Sequence, residues 1–181
     1  MYIVLDTETT GLKAEDRIVS ICWALYDSSA KEIAIRHHLI YPDGFTIPDA
    51  VVAIHGITTE QARAQGIPLH TAMGNLRADI ANFDPQLYIG HNVAFDRPMV
   101  LNEYQRLAEP ENLSPIPTYC TMEKSTDLCR IPRTSGPGYR WPRLGYLHNH
   151  LFGAPHDQAH DAQADVLATA KCFFELRRLG Y

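Results

Sequence analysis

Three strand-forming runs crowd the first forty residues, and that spacing restricts the fold more than any other feature of the chain. Tyr2 to Asp6 is a short β-branched and aromatic run, Ile18 to Tyr26 is a second, and Ile33 to Ile40 follows the turn-forming Asp27-Ser28-Ser29. Links this short predict an antiparallel meander. The pattern then changes. Thr58 and Gln61 have capping-box spacing, and Leu69 to Phe83 sets Leu69, Met73, Leu76, Ile80 and Phe83 along one helical face. Leu87 to Ile89 reads as a fourth strand and Thr118 to Thr121 as a fifth. Phe95 to Leu107 has helical spacing, and Pro98 fits only in or near a first turn, which places the helix start close to Asp96. Asp161 to Leu179 reads as the last long helix, with Val166, Ala170, Phe173 and Leu176 on its apolar face. Strands first and strand–helix alternation later predict an α/β chain built on a mixed sheet covered by helices.

With 181 residues, 45% of them hydrophobic, a single domain spanning residues 1–181 can bury a core without disulfides. Cys22, Cys120, Cys129 and Cys172 lack Cys-x-x-Cys spacing and sit in or beside apolar runs, as buried, reduced thiols do. A cytoplasmic location is expected. The N-terminus reaches a carboxylate at Asp6 without a cleavable apolar stretch, and no apolar run approaches the roughly 20 residues that a bilayer needs, so no membrane association is expected. The net charge of −5 argues against a protein that coats long DNA by counterion release. It leaves open a nucleic-acid end held by metals and a few local contacts. Arg130 to Arg143, with Pro132, Gly136, Pro137, Gly138 and Pro142, reads as one long loop. The chain stops soon after the last helix, so no polymerase-docking tail is expected.

Carboxylates cluster at three places. Asp6 and Glu8 are two apart at the end of the first strand, so an extended backbone points both to one face, where like charges repel unless a cation lies between them. Gly11 in the following Thr9-Thr10-Gly11-Leu12 supplies a turn whose backbone N–H groups could meet a substrate. His91-Asn92-Val93-Ala94-Phe95-Asp96 follows a strand and opens a helix, which places Asp96 at the edge of the sheet where ligands collect in α/β folds; an ordinary helix cap is the alternative use of Asp96. The third cluster, His156 to Asp165, precedes and enters the last helix. His156 and His160 have the four-residue spacing of a zinc pair, but Asp157 stands where a metalloprotease has Glu, and Pro155 disfavours helix there.

Taken in order, Asp6-Thr-Glu8, His91-Asn-Val-Ala-Phe-Asp96 and His160-Asp-Ala-Gln-Ala-Asp165 resemble the three exonuclease motifs of the DEDDh superfamily of 3′→5′ exonucleases, the DnaQ-like, proofreading epsilon-subunit type. The resemblance covers nearly the whole chain. It implies an RNase H-like fold with a central mixed five-stranded sheet. It also implies two divalent ions, Mg²⁺ or Mn²⁺, held by Asp6, Glu8, Asp96 and Asp165, with His160 as general base. The implied substrate is a single-stranded nucleic-acid 3′ end. Thr9, Gly11 and Leu12 match positions that bind the terminal nucleotide, His55 in the His-Gly-Ile-Thr segment is implied to contact substrate, and His91 and Asn92 belong to the second motif.

Arg133, Arg140 and Arg143 flank Tyr139 and Trp141, the mix of charge and aromatic surface that single-strand binders use, so Tyr139, Trp141 and Arg143 are further candidate substrate contacts. Two other readings compete. His160-Asp161 with the upstream histidines fits an HD-type metal phosphohydrolase, which requires a nearly all-helical domain. A binding module of the same fold that has lost catalysis is the second.

Overall fold

The computed structural model describes residues 1–154, 156 and 160–181. β1 (Tyr2–Thr9), β2 (Ile18–Tyr26) and β3 (Glu32–Leu39) form the antiparallel meander that their short links require. β4 (Tyr88–Gly90) pairs with the free side of β1 in parallel, and β5 (Thr118–Cys120) pairs with β4 in parallel, giving the order β3-β2-β1-β4-β5. All nine residues of β2 are buried, because helices cover both faces of the sheet there.

The two-residue period of β1 sorts its side chains between two cores. Ile3 and Leu5 face α3 (Leu69–Phe83) and α4 (Val93–Leu107), whose Met73, Leu76, Val100 and Tyr104 complete one core. Val4 faces the other way, against Val166, Ala170 and Phe173 of α8 (Ala162–Arg178). Asp6 and Glu8 continue the Val4 face. Both are only partly buried, while the intervening Thr7 and Thr9 are buried on the opposite face.

Several boundaries differ from the sequence reading. β1 runs on to Thr9, three residues past the expected end, so the extended conformation carries through the Asp6-Thr7-Glu8 segment. α4 begins at Val93, not near Asp96, and Pro98 therefore falls in the second turn. The helix tolerates it because Ala94, whose carbonyl loses its helical donor, is exposed alongside the ring, so water can take that bond. The sequence reading also contains no helix at α1 (Asp49–His55), α5 (Thr121–Lys124), α6 (Thr126–Cys129) or α7 (Leu144–Phe152). α1 buries no residue fully; Val51 and Val52 pack against a core while Ile54 is exposed, so its apolar residues do not sort onto one face. α7 buries Leu144 and Leu147 against Ala168, Cys172 and Leu176, a stripe too short to stand out.

Other expectations hold. α2 (Thr59–Gln65) starts at Thr58, whose hydroxyl accepts the Gln61 N–H, and Asp161 caps α8 by accepting the Ala164 N–H at 2.9 Å. The segment 130–143 is irregular except for a bridge between Pro132 and Tyr139. All four cysteines are free and buried. Among the described residues no helix is long and apolar enough to cross a membrane.

Candidate active site

The end of β1, the start of α4 and the first turn of α8 converge on one cleft of about 1060 Å³, lined by Asp6, Glu8, Asp96, His160 and Asp165. Asp6 and Glu8 reach it by strand alternation, and the β1–β2 register shifts between Glu8 and Thr9, so the ladder becomes irregular where the carboxylates emerge. Asp96 comes from the α4 side of the sheet. Its carboxylate is buried, and Oδ1 accepts both the Thr7 backbone N–H at 3.1 Å and the Thr7 hydroxyl at 2.8 Å. These bonds make Asp96 a tethered acid at the sheet edge rather than a helix cap, since Asn92 is the capping residue. Glu8, His160 and Asp165 each offer a ligand atom, all within 4.8 Å of one another.

The electrostatics of this cluster are unfavourable by construction. Among the described residues no lysine or arginine pairs with Asp6, Glu8 or Asp96. Desolvation, then the charges of Asp96, Asp165 and Glu8, hold the Asp6 carboxyl well above the usual range. Desolvation followed by Asp165 and Asp96 pushes Glu8 up to about 8. Asp96 is raised to about 7 by burial, with the Thr7 bonds opposing the rise. Carboxylates arranged to raise one another need a cation between them to stay ionised.

The substrate candidates separate into two groups. Leu12, 85% exposed, stands on the cleft rim, and Asn92, Trp141 and Arg143 also line the cleft. Thr9 and Gly11 do not. Thr9 is buried and its hydroxyl donates to the Gly11 carbonyl at 2.6 Å, so it shapes the turn. At Gly11 a Cβ would come within 2.4 Å of an Asp16 carboxylate oxygen, so a larger residue there requires the Asp16 side chain to shift. Tyr139 also lies outside the cleft lining, in the bridge with Pro132 and with its carbonyl accepting from Arg133. His55 closes α1; its Nδ1 accepts the Ile57 N–H, its Nε2 is buried with no hydrogen-bond partner among the described residues, and burial lowers its pKa.

His91 lines the cleft, but both of its ring nitrogens are bonded to protein: Nδ1 lies 2.9 Å from the Thr121 hydroxyl and Nε2 3.1 Å from the Pro142 carbonyl. Burial pushes it down to about 4, so the ring is neutral at pH 7 and its proton sits on Nε2, facing an oxygen that can only accept. The ring thus braces the Trp141-Pro142-Arg143 segment.

His160 is exposed and left-handed, with φ of 69°, and its backbone N–H donates to Asp165 Oδ2 at 3.3 Å. Pro155 and residues 157–159, which belong to the same histidine-rich approach to α8, lie outside the described residues. His156 escapes the sequence reading as a site residue. Its Nε2 lies 2.6 Å from Asp165 Oδ1, so it turns to the carboxylate and not toward a zinc ion shared with His160. Arg140 and Tyr146 also line the cleft.

Residues 3–173 match the RNase_T family, described as an exonuclease. The chain belongs to the RNase_T exonuclease family. Solved structures similar to this RNase_T member include the zinc-bound form of the E. coli exonuclease I complex with single-stranded DNA, with a TM-score of 0.77 and 24% identity over 99% of this chain and 40% of that one. E. coli exonuclease I in complex with a dA16 oligonucleotide gives 0.78 and 24% over 98% and 40%, and a product-bound exonuclease I gives 0.79 and 22% over 98% and 43%. The RNase_T chain therefore spans about two fifths of the length of these proteins. At such identities the likeness shows the fold, an RNase H-like mixed five-stranded sheet flanked by helices. That sheet excludes the all-helical HD-type architecture. The comparison with curated proteins gives no match.

Proposed function

We propose that this chain is a metal-dependent 3′→5′ exonuclease of the DEDDh branch that releases nucleoside 5′-monophosphates from a single-stranded DNA or RNA end. The observation that carries the reading is the convergence of four carboxylates and His160 in one cleft of an RNase_T fold. The donor set fits a hard divalent cation, because three of the carboxyls are pushed upward by burial and by one another, and carboxylate oxygens suit Mg²⁺ or Mn²⁺. That exonuclease I was solved with zinc and with single-stranded DNA supports a divalent ion, without selecting which, and the strand.

Asp6, Glu8 and Asp165 would hold one ion, and Asp6 with Asp96 a second. Such a pair of ions stabilises the attacking and leaving oxygens of an in-line displacement. An imidazole nitrogen of His160 accepts the proton of the attacking water, the general-base role that histidine fills most often. Thr7 holds Asp96 in place through the two bonds to Oδ1. Arg140 and Arg143 supply positive charge at the cleft for backbone phosphates, and Trp141 and Leu12 supply apolar surface for bases. The chain acts as one catalytic domain over residues 1–181, in a cytoplasm that keeps its thiols reduced.

The test is incubation of 5′-labelled DNA and RNA oligonucleotides with Mg²⁺ or Mn²⁺, and with chelator as control. A metal-dependent ladder that shortens from the 3′ end is expected. Immediate release of labelled mononucleotide would mean the opposite polarity, and binding without cleavage on every substrate would favour the inactive module.

A further inference from the structure

The Asp165 carboxylate is gripped from two sides. Oδ2 accepts the His160 backbone N–H at 3.3 Å, and Oδ1 meets His156 Nε2 at 2.6 Å. The His156 side chain is 7% exposed and sits between α7 and α8. On the α7 side it packs beside Gly145, where a Cβ would lie in ordinary contact, 3.6 Å from Nδ1. His148, tied at 2.8 Å to the Ala154 carbonyl, places its ring centroid 6.0 Å from that of His156. An imidazole enclosed in this way has little freedom to turn, and a carboxylate bonded to it loses its own rotation.

We propose that His156 is a positioning residue, which fixes Asp165 so that Oδ2 stays on the side of Glu8 and His160, ready to receive a divalent cation. The inference rests on the functional reading above. Unheld, Asp165 would rotate away from Glu8, its like-charged neighbour, and ion binding would have to stop that rotation. A lysine or arginine in the place of His156 would hold the oxygen equally well but would put a permanent cation beside the ion site. An imidazole N–H supplies direction at a smaller electrostatic cost. The reach also couples the ion site to α7, and through Arg143 at its start to the Trp141 segment on the cleft wall.

The experiment compares wild type with His156→Leu, His156→Gln and His156→Asn by calorimetric Mn²⁺ titration without nucleic acid, then by nucleotide release against Mn²⁺ concentration. Loss of an outer partner of a metal ligand typically costs about 10–100-fold in affinity. His156→Leu should weaken Mn²⁺ binding by that factor and shift half-maximal activity to higher Mn²⁺. The oligonucleotide KM at saturating Mn²⁺ should stay unchanged. Gln, whose Nε2 reaches the position of the imidazole Nε2, should restore most of the affinity; Asn, one methylene shorter, should not. Mn²⁺ binding by His156→Leu as tight as wild type, or tighter, overturns the proposal. Should His156→Leu fail to fold, Gln and Asn decide, and equal affinities for those two overturn it as well. A wild type that neither binds Mn²⁺ nor releases nucleotides sinks the exonuclease reading itself, whereas an active wild type with an unaffected His156→Leu sinks only the positioning role.

Discussion

Asp165 and His160 are neighbours with different duties, and substitution can separate them. A carboxylate that holds an ion is needed for the ion to stay, whereas a base that takes a proton from water is needed only for turnover. His160→Asn is therefore expected to bind Mn²⁺ nearly as wild type does while losing about 10²- to 10⁴-fold in single-turnover rate. Part of that rate should return as pH rises and water itself ionises more readily, and the acidic limb of the rate profile should change. Loss of Mn²⁺ binding in His160→Asn would make His160 a ligand, which its place within 4.8 Å of Glu8 and Asp165 makes a sharp alternative. The acids of this site are legible in the sequence because each stands where a periodic element meets a polar string: Asp6 and Glu8 after an apolar strand, Asp96 after His91-Asn92, and Asp165 inside an apolar helix. His156 is not legible. Spacing alone cannot say which of two histidines four positions apart turns its ring to a carboxylate further along the chain.

The element that presents Leu12 is the connection between β1 and β2, and α4 anchors it. Glu103 is fully buried on α4, where it accepts the Ile18 N–H at 3.0 Å and pairs with Arg17 and Arg106, while Arg106 also donates to the carbonyls of Ala14 and Asp16. Glu103→Ala leaves a buried N–H without an acceptor, so a loss of about 1–3 kcal/mol in urea unfolding is expected. Because the Leu12 turn would loosen with it, KM should rise as well; an unchanged unfolding midpoint would show that the network carries no stability. The other wall of the cleft is the Trp141 segment. With Trp141 60% exposed and braced from behind by His91, Trp141→Ala should raise KM several-fold more than it lowers kcat, and an equal KM would remove the residue from substrate binding. This wall is only half legible. The breakers in 130–143 mark a loop, but α7 behind it hides because its buried stripe holds little more than Leu144 and Leu147, and the bonds of His91 to Thr121 and Pro142 join segments distant in sequence.

For the molecule as a whole, the clustered acids set how stability responds to pH without metal. Glu8 ionises near 4.5 when exposed and near 8 in the fold, and Asp96 near 3.8 and near 7. Below the lower values each group is protonated in both states and imposes no penalty. Between the lower and the folded values the unfolded chain ionises while the native chain keeps its protons, so metal-free stability should fall from about pH 4 to about pH 8, and Asp6, also raised, adds to the fall. Saturating Mg²⁺ or Mn²⁺ should reverse the fall, and Glu8→Gln should remove much of it. Melting temperatures in chelator across that range measure it, at about 2–4 °C for each kcal/mol in a chain of this size. A flat profile would mean that the carboxyls are not mutually strained.

β1 and α8, distant in sequence, contribute to the same cleft: Asp6 and Glu8 belong to β1 and Asp165 to α8. On a ribosome these groups emerge far apart in time. A nascent chain that has folded its meander and its first core still has no complete acid cluster until α8 has left the exit tunnel and docked on Val4, Cys22 and Ile89. The order of synthesis thus leaves the acid cluster incomplete until α8 is in place.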